Sequence, residues 1–174
     1  KRHGVGIYPE TKHPTYFASI GLETDTPLVA QLKQAGWDSA DAPVFIQSFE
    51  VANLTRLHGL TKIRLIQLMD AKGGPADGAE PSYAAMATPA GLAKVATYAW
   101  GIGPNKDMIA ATGDAPTTLV RDAHAAGLRV HPWTFRAENY FLPSGWRSGI
   151  NPRGAGRLSD EIARYINAGV AGFF

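Results

Sequence analysis

Short apolar runs alternate with segments of helical periodicity along this 174-residue chain. The runs are short and lack a polar face, which is typical of parallel strands buried on both sides. Strand and helix follow each other repeatedly over the whole length, and this order predicts α/β architecture with a parallel sheet. The predicted strands are 4–10, 43–49, 63–69, 98–103, 128–135 and 170–174, and the predicted helices are 26–36, 50–60, 115–127 and 157–169.

Capping and stop residues mark the ends of the predicted helices. Thr26 and Ser159 are candidate N-caps, and Pro27 suits a first turn. Glycines that can adopt a left-handed conformation should end three of the helices, and these are Gly36, Gly127 and Gly169. The Gly/Pro/Ala-rich stretch 71–89 breaks the pattern and is predicted to be a surface loop.

Composition indicates one soluble globular domain, spanning 1–174, and excludes several classes of function. Lys and Arg total 17 against 15 Asp and Glu, giving a net charge of +2 from scattered residues, so nucleic acid is not an expected partner. No apolar run is long enough for membrane insertion. The absence of cysteine excludes disulfides, thiolate catalysis and Cys-rich zinc sites. Because the chain starts without methionine in a predicted strand and ends on an apolar run, we expect further sequence on both sides.

Polar residues gather where the predicted strands end. Parallel sheets collect their chemistry at the carboxyl ends of the strands, whether the sheet is open or closed into a barrel. Glu10 and Lys12 end the first strand two positions apart, so an extended chain holds both charges on one face. The other strand-end residues are Gln47, Ser48, Asp70, Pro104, Asn105, Trp133, Thr134 and Arg136. Each could instead be an ordinary solvated loop residue.

Familiar catalytic motifs are absent from the sequence. It contains no phosphate-binding G-x-x-x-x-G-K-[ST], no G-x-S-x-G and no H-E-x-x-H. His131 shares a strand face with Trp133 and Phe135, which favours a hydrogen-bonded interior histidine over a catalytic one. His13 precedes Pro14 and is interpreted as a loop residue.

Six stretches of the chain resemble the glycerophosphodiester phosphodiesterase family, in particular its periplasmic branch. They are "VGIYPETKHP", "FIQSFE", "LIQLMD", "YAWGIGPNKDMI", "AAGLRVHPWTFRAENYFLP" and "YINAGVAGFF". The resemblance implies a (β/α)8 TIM barrel to which this chain contributes roughly strands three to eight, its C-terminal two-thirds. The family's His-Arg-Gly motif, Glu-x-Asp pair, second active-site histidine and final Thr-Asp have no match, so the catalytic acid and base are unknown here and a missing N-terminal segment is the expected partner.

The resemblance also implies residue roles. Glu10 would be a ligand of a divalent cation, and its hard carboxylate oxygens suit Ca²⁺ or Mg²⁺. Lys12 would reach the substrate phosphate, and Gln47 would hydrogen-bond near the phosphate or glycerol. Trp133 would pack on the glycerol carbons, although core packing is an equal alternative.

The expected function is metal-dependent hydrolysis of a small-molecule glycerophosphodiester to an alcohol and glycerol 3-phosphate. A metal ion and an ammonium group suit this reaction because they stabilise the charge that develops on the phosphate. Two alternatives stay open: a catalytically silent barrel that binds phosphate and glycerol, and a phospholipase D-like barrel acting on lysophospholipids or sphingomyelin. The second is less favoured because no apolar membrane-docking patch is evident in the sequence. A periplasmic or secreted location is expected from the family branch.

Overall fold

The computed structural model describes residues 4–111 and 115–174. Four parallel strands form a sheet in chain order, each next to the one before it. They are β1 (Phe45–Ser48), β2 (Arg64–Met69), β3 (Gly101–Pro104) and β4 (Arg129–Val130). In register, Phe45 lies opposite Arg64, Ile66 opposite Gly101, and Ile102 opposite Val130.

Extended segments continue the sheet at both edges. At the β1 edge, isolated parallel bridges join Ile7 to Val44 and Glu10 to Gln47. At the β4 edge, the N–H of Ala171 donates to the carbonyl of Val130 at 2.9 Å, and the N–H of Phe174 donates to Pro132 at 3.2 Å. The first and last predicted strands therefore lie beside the sheet, but neither forms a continuous ladder. Six parallel segments in sequential order are consistent with part of a TIM barrel.

Helices connect the strands and cover one face of the sheet. They are α1 (Pro14–Ser19), α2 (Asp25–Gln34), α3 (Val51–Leu60), α4 (Tyr83–Met86), α5 (Pro89–Val95), α6 (Asp107–Ala110), α7 (Leu119–Ala125) and α8 (Leu158–Asn167), with a 3₁₀ turn at Ser144–Trp146. Strand residues such as Ile46 and Ile102 and helix residues such as Leu54 and Leu92 are fully buried between the two layers. Their removal from water is the main stabilising contribution of this core.

A cluster of rings occupies the opposite, inner face of the sheet. Phe45 of β1 contacts Trp100 at 5.3 Å and His131 at 5.2 Å between ring centroids. Tyr8 from one edge of the sheet lies 5.0 Å from Phe174 at the other edge. Residues at opposite edges can meet only if the sheet curls, so the strands enclose an interior as in a barrel.

Several predicted boundaries differ from the structure. Thr26 lies inside α2 rather than capping it, because the Glu23 carboxylate accepts the backbone N–H groups of Asp25 and Thr26, both at 3.0 Å. Ser159 likewise lies inside α8, which begins at Leu158. Gly36, Gly127 and Gly169 have positive φ values of 70°, 82° and 96° and follow the helix ends as predicted.

The stretch 71–89 is not wholly a surface loop. Its second half contains α4, whose first N–H groups are satisfied by Ser82: the Ser82 hydroxyl accepts the Ala85 N–H at 3.1 Å. Tyr83 and Met86 of α4 are buried, so this part of the stretch packs against the core.

The predicted helix 115–127 begins only at Leu119, because the N–H of Thr117 donates to the carbonyl of Ile109 at 2.7 Å. The neighbouring residues 112–114 lie outside the described part.

Candidate functional site

The carboxyl edge of the sheet brings together the strand-end residues of neighbouring segments. Glu10 pairs with Gln47 across the first bridge, and Asn105 pairs with Trp133 across another. Bridged residues of parallel strands project to the same face, so Glu10 and Gln47 are side by side. The Lys12 ammonium lies 3.7 Å from a Glu10 carboxylate oxygen, as the spacing of these two residues predicts.

Two buried oxygens of this bridged pair have no hydrogen-bond partner among the residues that the structure describes. They are Oε1 of Glu10 and Oε1 of Gln47, one from each member of the bridged pair. Burying an unpaired oxygen costs free energy, so such atoms mark positions where a ligand or cation can bind. A carboxylate oxygen and an amide oxygen are both donors that Ca²⁺ and Mg²⁺ accept. The two residues fit part of a divalent cation site.

The described residues contain no larger cluster of acidic or histidine side chains that could complete a cation site. Among residues 4–111 and 115–174, no three His, Cys, Asp or Glu side chains converge closely enough to hold a metal ion. Ca²⁺ and Mg²⁺ require at least six ligands in total, some of which can be waters. Glu10 and Gln47 can therefore supply only part of the coordination shell.

A cavity of about 360 Å³ opens beside Glu10 and Lys12. The loop after β1 contributes Phe49, the end of β2 contributes Asp70, and α4 contributes Tyr83. Gln47 and Trp133 do not line this cavity. The Trp133 ring contacts the lining residue Phe49 edge-to-face at 5.8 Å, and its indole N–H donates to the carbonyl of Gly103 at 2.8 Å. The cavity is large enough for a small polar molecule.

Tyr83 lines the cavity and carries a neutral hydroxyl. Burial is the main factor that raises the pKa of Tyr83 to about 12, and the negative charges of Asp70, Asp77 and Glu50 raise it further. Its ring contacts Phe49 at 6.0 Å. Tyr83 can therefore donate a hydrogen bond to a bound molecule at neutral pH.

Buried polar contacts fix the loop that carries Lys12. The Thr11 hydroxyl donates to Asn53 at 2.7 Å, and the Asn53 amide donates to Asp25 at 2.7 Å. Burial raises the pKa of Asp25, although the hydrogen bond from Asn53 acts in the opposite direction. Glu50 accepts the N–H of Thr15 at 3.0 Å and so stabilises the start of α1. The result is a fixed backbone that presents an exposed lysine at the mouth of the cavity.

The two notable histidines occupy different places. His131 is buried in the inner ring cluster, where its Nδ1 lies 3.1 Å from the Tyr8 hydroxyl, and the prediction of a hydrogen-bonded interior histidine is confirmed. Burial lowers the pKa of His131 to about 4, with the nearby charge of Arg64 acting in the same direction. His13 has a left-handed backbone (φ 50°) in the loop before α1 and lines the cavity, in addition to the predicted loop role.

Phe49 and Tyr83 are cavity residues that the sequence prediction missed. Phe49 was part of a predicted strand, with no feature to distinguish it from a core residue. Tyr83 fell in the predicted loop, yet Ser82 before it and the pair Thr88–Pro89 after it are cap signals that indicate helices there. Recognising α4 would have suggested that Tyr83 points toward the sheet.

A family model and several named proteins match the chain over most of its length. The model of the glycerophosphoryl diester phosphodiesterase family matches residues 4–174. A glycerophosphodiester phosphodiesterase of Arabidopsis thaliana is 34% identical over 154 residues, which cover 79% of this chain and 41% of that protein. One from Haemophilus influenzae is 29% identical over 154 residues, covering 77% of this chain and 42% of that protein. The chain thus spans less than half the length of these relatives.

Two solved structures share the fold. Proteins from Agrobacterium tumefaciens and Silicibacter pomeroyi, both assigned as glycerophosphoryl diester phosphodiesterases, superpose with TM-scores of 0.58 and 0.60. Each is 18% identical to this chain, and each match includes 97% of this chain. The match includes 53% of the Agrobacterium tumefaciens protein and 46% of the Silicibacter pomeroyi protein. The predicted family and partial TIM barrel are both confirmed: the chain belongs to the glycerophosphoryl diester phosphodiesterase family.

Proposed function

We propose that the whole protein, meaning this chain with the segments that complete a family barrel, hydrolyses glycerophosphodiesters. Water cleaves the phosphorus–oxygen bond to the alcohol, and the products are that alcohol and glycerol 3-phosphate. The observation that carries the proposal is the pair of unpartnered buried oxygens of Glu10 and Gln47 beside the Lys12 ammonium. A cation and an ammonium group at the mouth of a cavity suit a phosphodiester, which is an anion.

In this proposal a Ca²⁺ or Mg²⁺ ion is bound in part by Glu10. When bound, the cation withdraws charge from the phosphate oxygens. Lys12 binds a further phosphate oxygen, which its exposed position at the cavity mouth allows. The Gln47 oxygen, which the family resemblance places near the phosphate or glycerol, would also suit this cation, because Gln47 is the bridge partner of Glu10.

Trp133 would contact the glycerol carbons with the free part of its indole face. Its N–H is already used by Gly103, so the ring is held in one orientation. It does not reach the cavity beside Glu10, and its contact with substrate requires that glycerol lie on the β4 side of the edge. The other substituent, the alcohol, then occupies the cavity lined by Phe49 and Tyr83.

The remaining catalytic groups would come from the segments outside this chain. Acid/base cleavage needs a proton acceptor and a proton donor near the phosphate. His131 is a poor candidate for either group, because it is buried in the inner ring cluster with the Tyr8 hydroxyl.

We also propose a periplasmic or secreted location, which cell fractionation of the native host would test.

The decisive experiment is release of glycerol 3-phosphate by the purified whole protein. Glycerophosphoethanolamine or glycerophosphocholine serves as a soluble substrate, and a lysophospholipid in micelles serves as the comparison. We expect cleavage of the soluble diesters, loss of activity with a chelator and recovery on adding Ca²⁺ or Mg²⁺. Binding of glycerol 3-phosphate without turnover would instead indicate the silent barrel, and cleavage of the lysophospholipid alone would indicate the phospholipase D-like alternative.

A further inference from the structure

Residues 136–157, the segment between the end of the β4 region and α8, form a well-held excursion that we call the arginine loop. The buried Asn139 organises it: its side-chain amide donates to the carbonyls of Ser148 and Asn151, both at 2.8 Å, and accepts the N–H of Ser148 at 2.9 Å. An antiparallel bridge between Glu138 and Ala155 joins its two arms. The loop therefore presents a defined surface.

Three large apolar side chains of the arginine loop point into solvent. Tyr140 is 71% exposed, Phe141 is 44% exposed and Ile150 is fully exposed, whereas Leu142 is buried and forms the small core of the loop. The rings of Tyr140 and Phe141 contact each other at 4.9 Å, and the N–H of Tyr140 donates to Pro152, which brings the Ile150 arm alongside. Clustered exposed apolar side chains of this kind mark interaction sites.

The segment that carries these apolar side chains is also rich in arginine. The loop contains one glutamate against four arginines, which are Arg136, Arg147, Arg153 and Arg157, a net charge of +3 within a chain whose total is +2. Arg157 pairs with Asp160 of α8 at 3.1 Å, so the loop together with this partner carries a charge of +2. The Arg136 guanidinium lies over the Phe141 ring at 4.3 Å and also pairs with Glu138 at 2.7 Å. Charge and apolar exposure thus coincide in one short segment.

The loop follows β4 directly beyond Trp133, so it stands at the carboxyl edge of the sheet, the edge that carries Glu10 and Lys12. A surface bound by the loop would face the same end of the molecule as the cavity. Tyr and Phe rings and an Ile side chain can enter the boundary between headgroups and acyl chains, while arginines bind lipid phosphates. Nucleic acid would use the arginines but would leave Ile150 in water.

We propose that the arginine loop docks the protein peripherally on an anionic phospholipid bilayer. This goes beyond the proposed hydrolysis, because the loop contributes no group to the phosphate site. It also revises the expectation that the chain has no apolar docking patch. The sequence hides the patch, because Tyr140 and Phe141 are separated from Ile150 by eight residues and meet only through the fold of the loop. Docking would hold the cavity near a surface whose lipids, once deacylated, yield glycerophosphodiesters.

The test is co-sedimentation of the whole protein with two kinds of vesicle, phosphatidylcholine alone and an equimolar mixture of phosphatidylcholine and phosphatidylglycerol. We expect at least about tenfold tighter binding to the anionic vesicles, and weaker binding at high salt. The triple variant Tyr140→Ser/Phe141→Ser/Ile150→Ser should lose at least about tenfold in partitioning. The control triple variant Tyr16→Ser/Ile20→Ser/Leu22→Ser removes three apolar side chains outside the loop that are also more than half exposed, and it should bind normally.

A second variant keeps the test valid if the triple variant folds poorly. Arg153→Glu changes one exposed side chain and should weaken binding to anionic vesicles severalfold while release of glycerol 3-phosphate from a soluble diester stays unchanged. In addition, Ile150→Cys introduces a thiol into a chain without cysteine, and a polarity-sensitive fluorophore on it should report a less polar environment only with anionic vesicles.

Three results would overturn the proposal. One is equal binding of wild type and both loop variants. Another is a fluorophore at position 150 that is already shielded without vesicles, which would mean that another segment of the protein covers the loop. The third is a change of oligomeric state in the loop variants without any change in vesicle binding, which would identify a second copy as the partner. Activity on the soluble diester is measured separately, so failure of docking is distinct from failure of the proposed hydrolysis.

Discussion

Glu10 has one carboxylate oxygen beside the Lys12 ammonium, and its other oxygen is buried with no hydrogen-bond partner in the described part of the chain. We expect Glu10→Gln in the whole protein to lower diester hydrolysis by about a hundredfold or more, because the amide keeps the size of the side chain but removes the ligand charge. Excess Ca²⁺ or Mg²⁺ should restore part of the activity. Metal titrations of both proteins measure this. Glu80→Gln, at a glutamate paired with Lys94, is the control, and full activity of Glu10→Gln in trace metal would disprove the assignment.

Lys12 and Trp133 should affect different kinetic parameters. Lys12→Met removes the ammonium and should lower kcat on every phosphodiester, since stabilisation of the phosphate charge is lost. Trp133→Ala should mainly raise KM for glycerol-containing diesters and spare a generic aryl phosphodiester. Steady-state kinetics on both substrates distinguish the two effects. Equal losses on both substrates for Trp133→Ala would indicate that the indole only packs against Phe49.

His131 makes stability depend on acidity. Burial lowers the pKa of His131 from 6.5 to about 4, so as pH falls the unfolded chain takes up the proton first. The contribution of neutral His131 to the free energy of unfolding is therefore fully present above pH 6.5 and declines as pH falls toward 4. The loss is about 2 kcal/mol by pH 5. Urea unfolding of the whole protein at pH 7 and pH 5 measures the difference. His131→Gln should remove this part of the pH dependence, and His58→Gln on the exposed face of α3 controls for the substitution itself.

At the scale of elements, an ion pair joins the loop after β3 to α8. Lys106 and Glu161 lie 2.7 Å apart with exposed side-chain fractions of only 13% and 2%. Glu161→Ala leaves the ammonium buried and unpaired, and we expect it to lower the free energy of unfolding by about 3–5 kcal/mol. Asp160 directly precedes Glu161 on α8 and forms an exposed pair with Arg157. Asp160→Ala should lower the free energy of unfolding by less than about 1 kcal/mol.

Chemical denaturation of the whole protein checks the comparison. The double variant Lys106→Met/Glu161→Leu should recover most of the loss, because it leaves neither charge unpaired. A Glu161→Ala variant no less stable than Asp160→Ala would show that α8 is held by its apolar contacts alone.

The sequence located some of these elements accurately and missed others, for a physical reason. Central strands such as β2 and helices ended by a glycine, such as α8, were located within a few residues, because their signals are local. Helix α4 was missed, since four residues carry too little periodicity to be distinguished from a loop. The start of α2 depends on Glu23, a side chain outside the predicted helix.

At the scale of the whole molecule, the sheet has two open edges. Val5 and Ile7 are exposed along one edge, and Phe173 is exposed along the other. We predict that residues 1–174 expressed alone aggregate or stay molten and show no phosphodiesterase activity, because unpaired edges and uncovered apolar side chains favour association. Adding the remaining family segments, in cis or as a separate chain, should restore folding and metal-dependent cleavage.

Thermal melting and glycerol 3-phosphate release, each with and without the added segments, measure this prediction. The whole protein serves as the positive control. A cooperative melt together with full activity from residues 1–174 alone would show that the four strands and their two flanking segments form a self-sufficient fold.

The sequence by itself determined the alternation of strands and helices and the Glu10–Lys12 pair, because each depends on residues close together in the chain, and it determined the family through motifs spread along the whole chain. Only the tertiary structure decided which distant residues meet. It paired Glu10 with Gln47 and left an oxygen of each unpartnered, it separated Trp133 from the cavity, and it placed Tyr83 inside that cavity. The curl that brings Tyr8 to Phe174 likewise has no local signal, since it arises from the combined twist of all six segments.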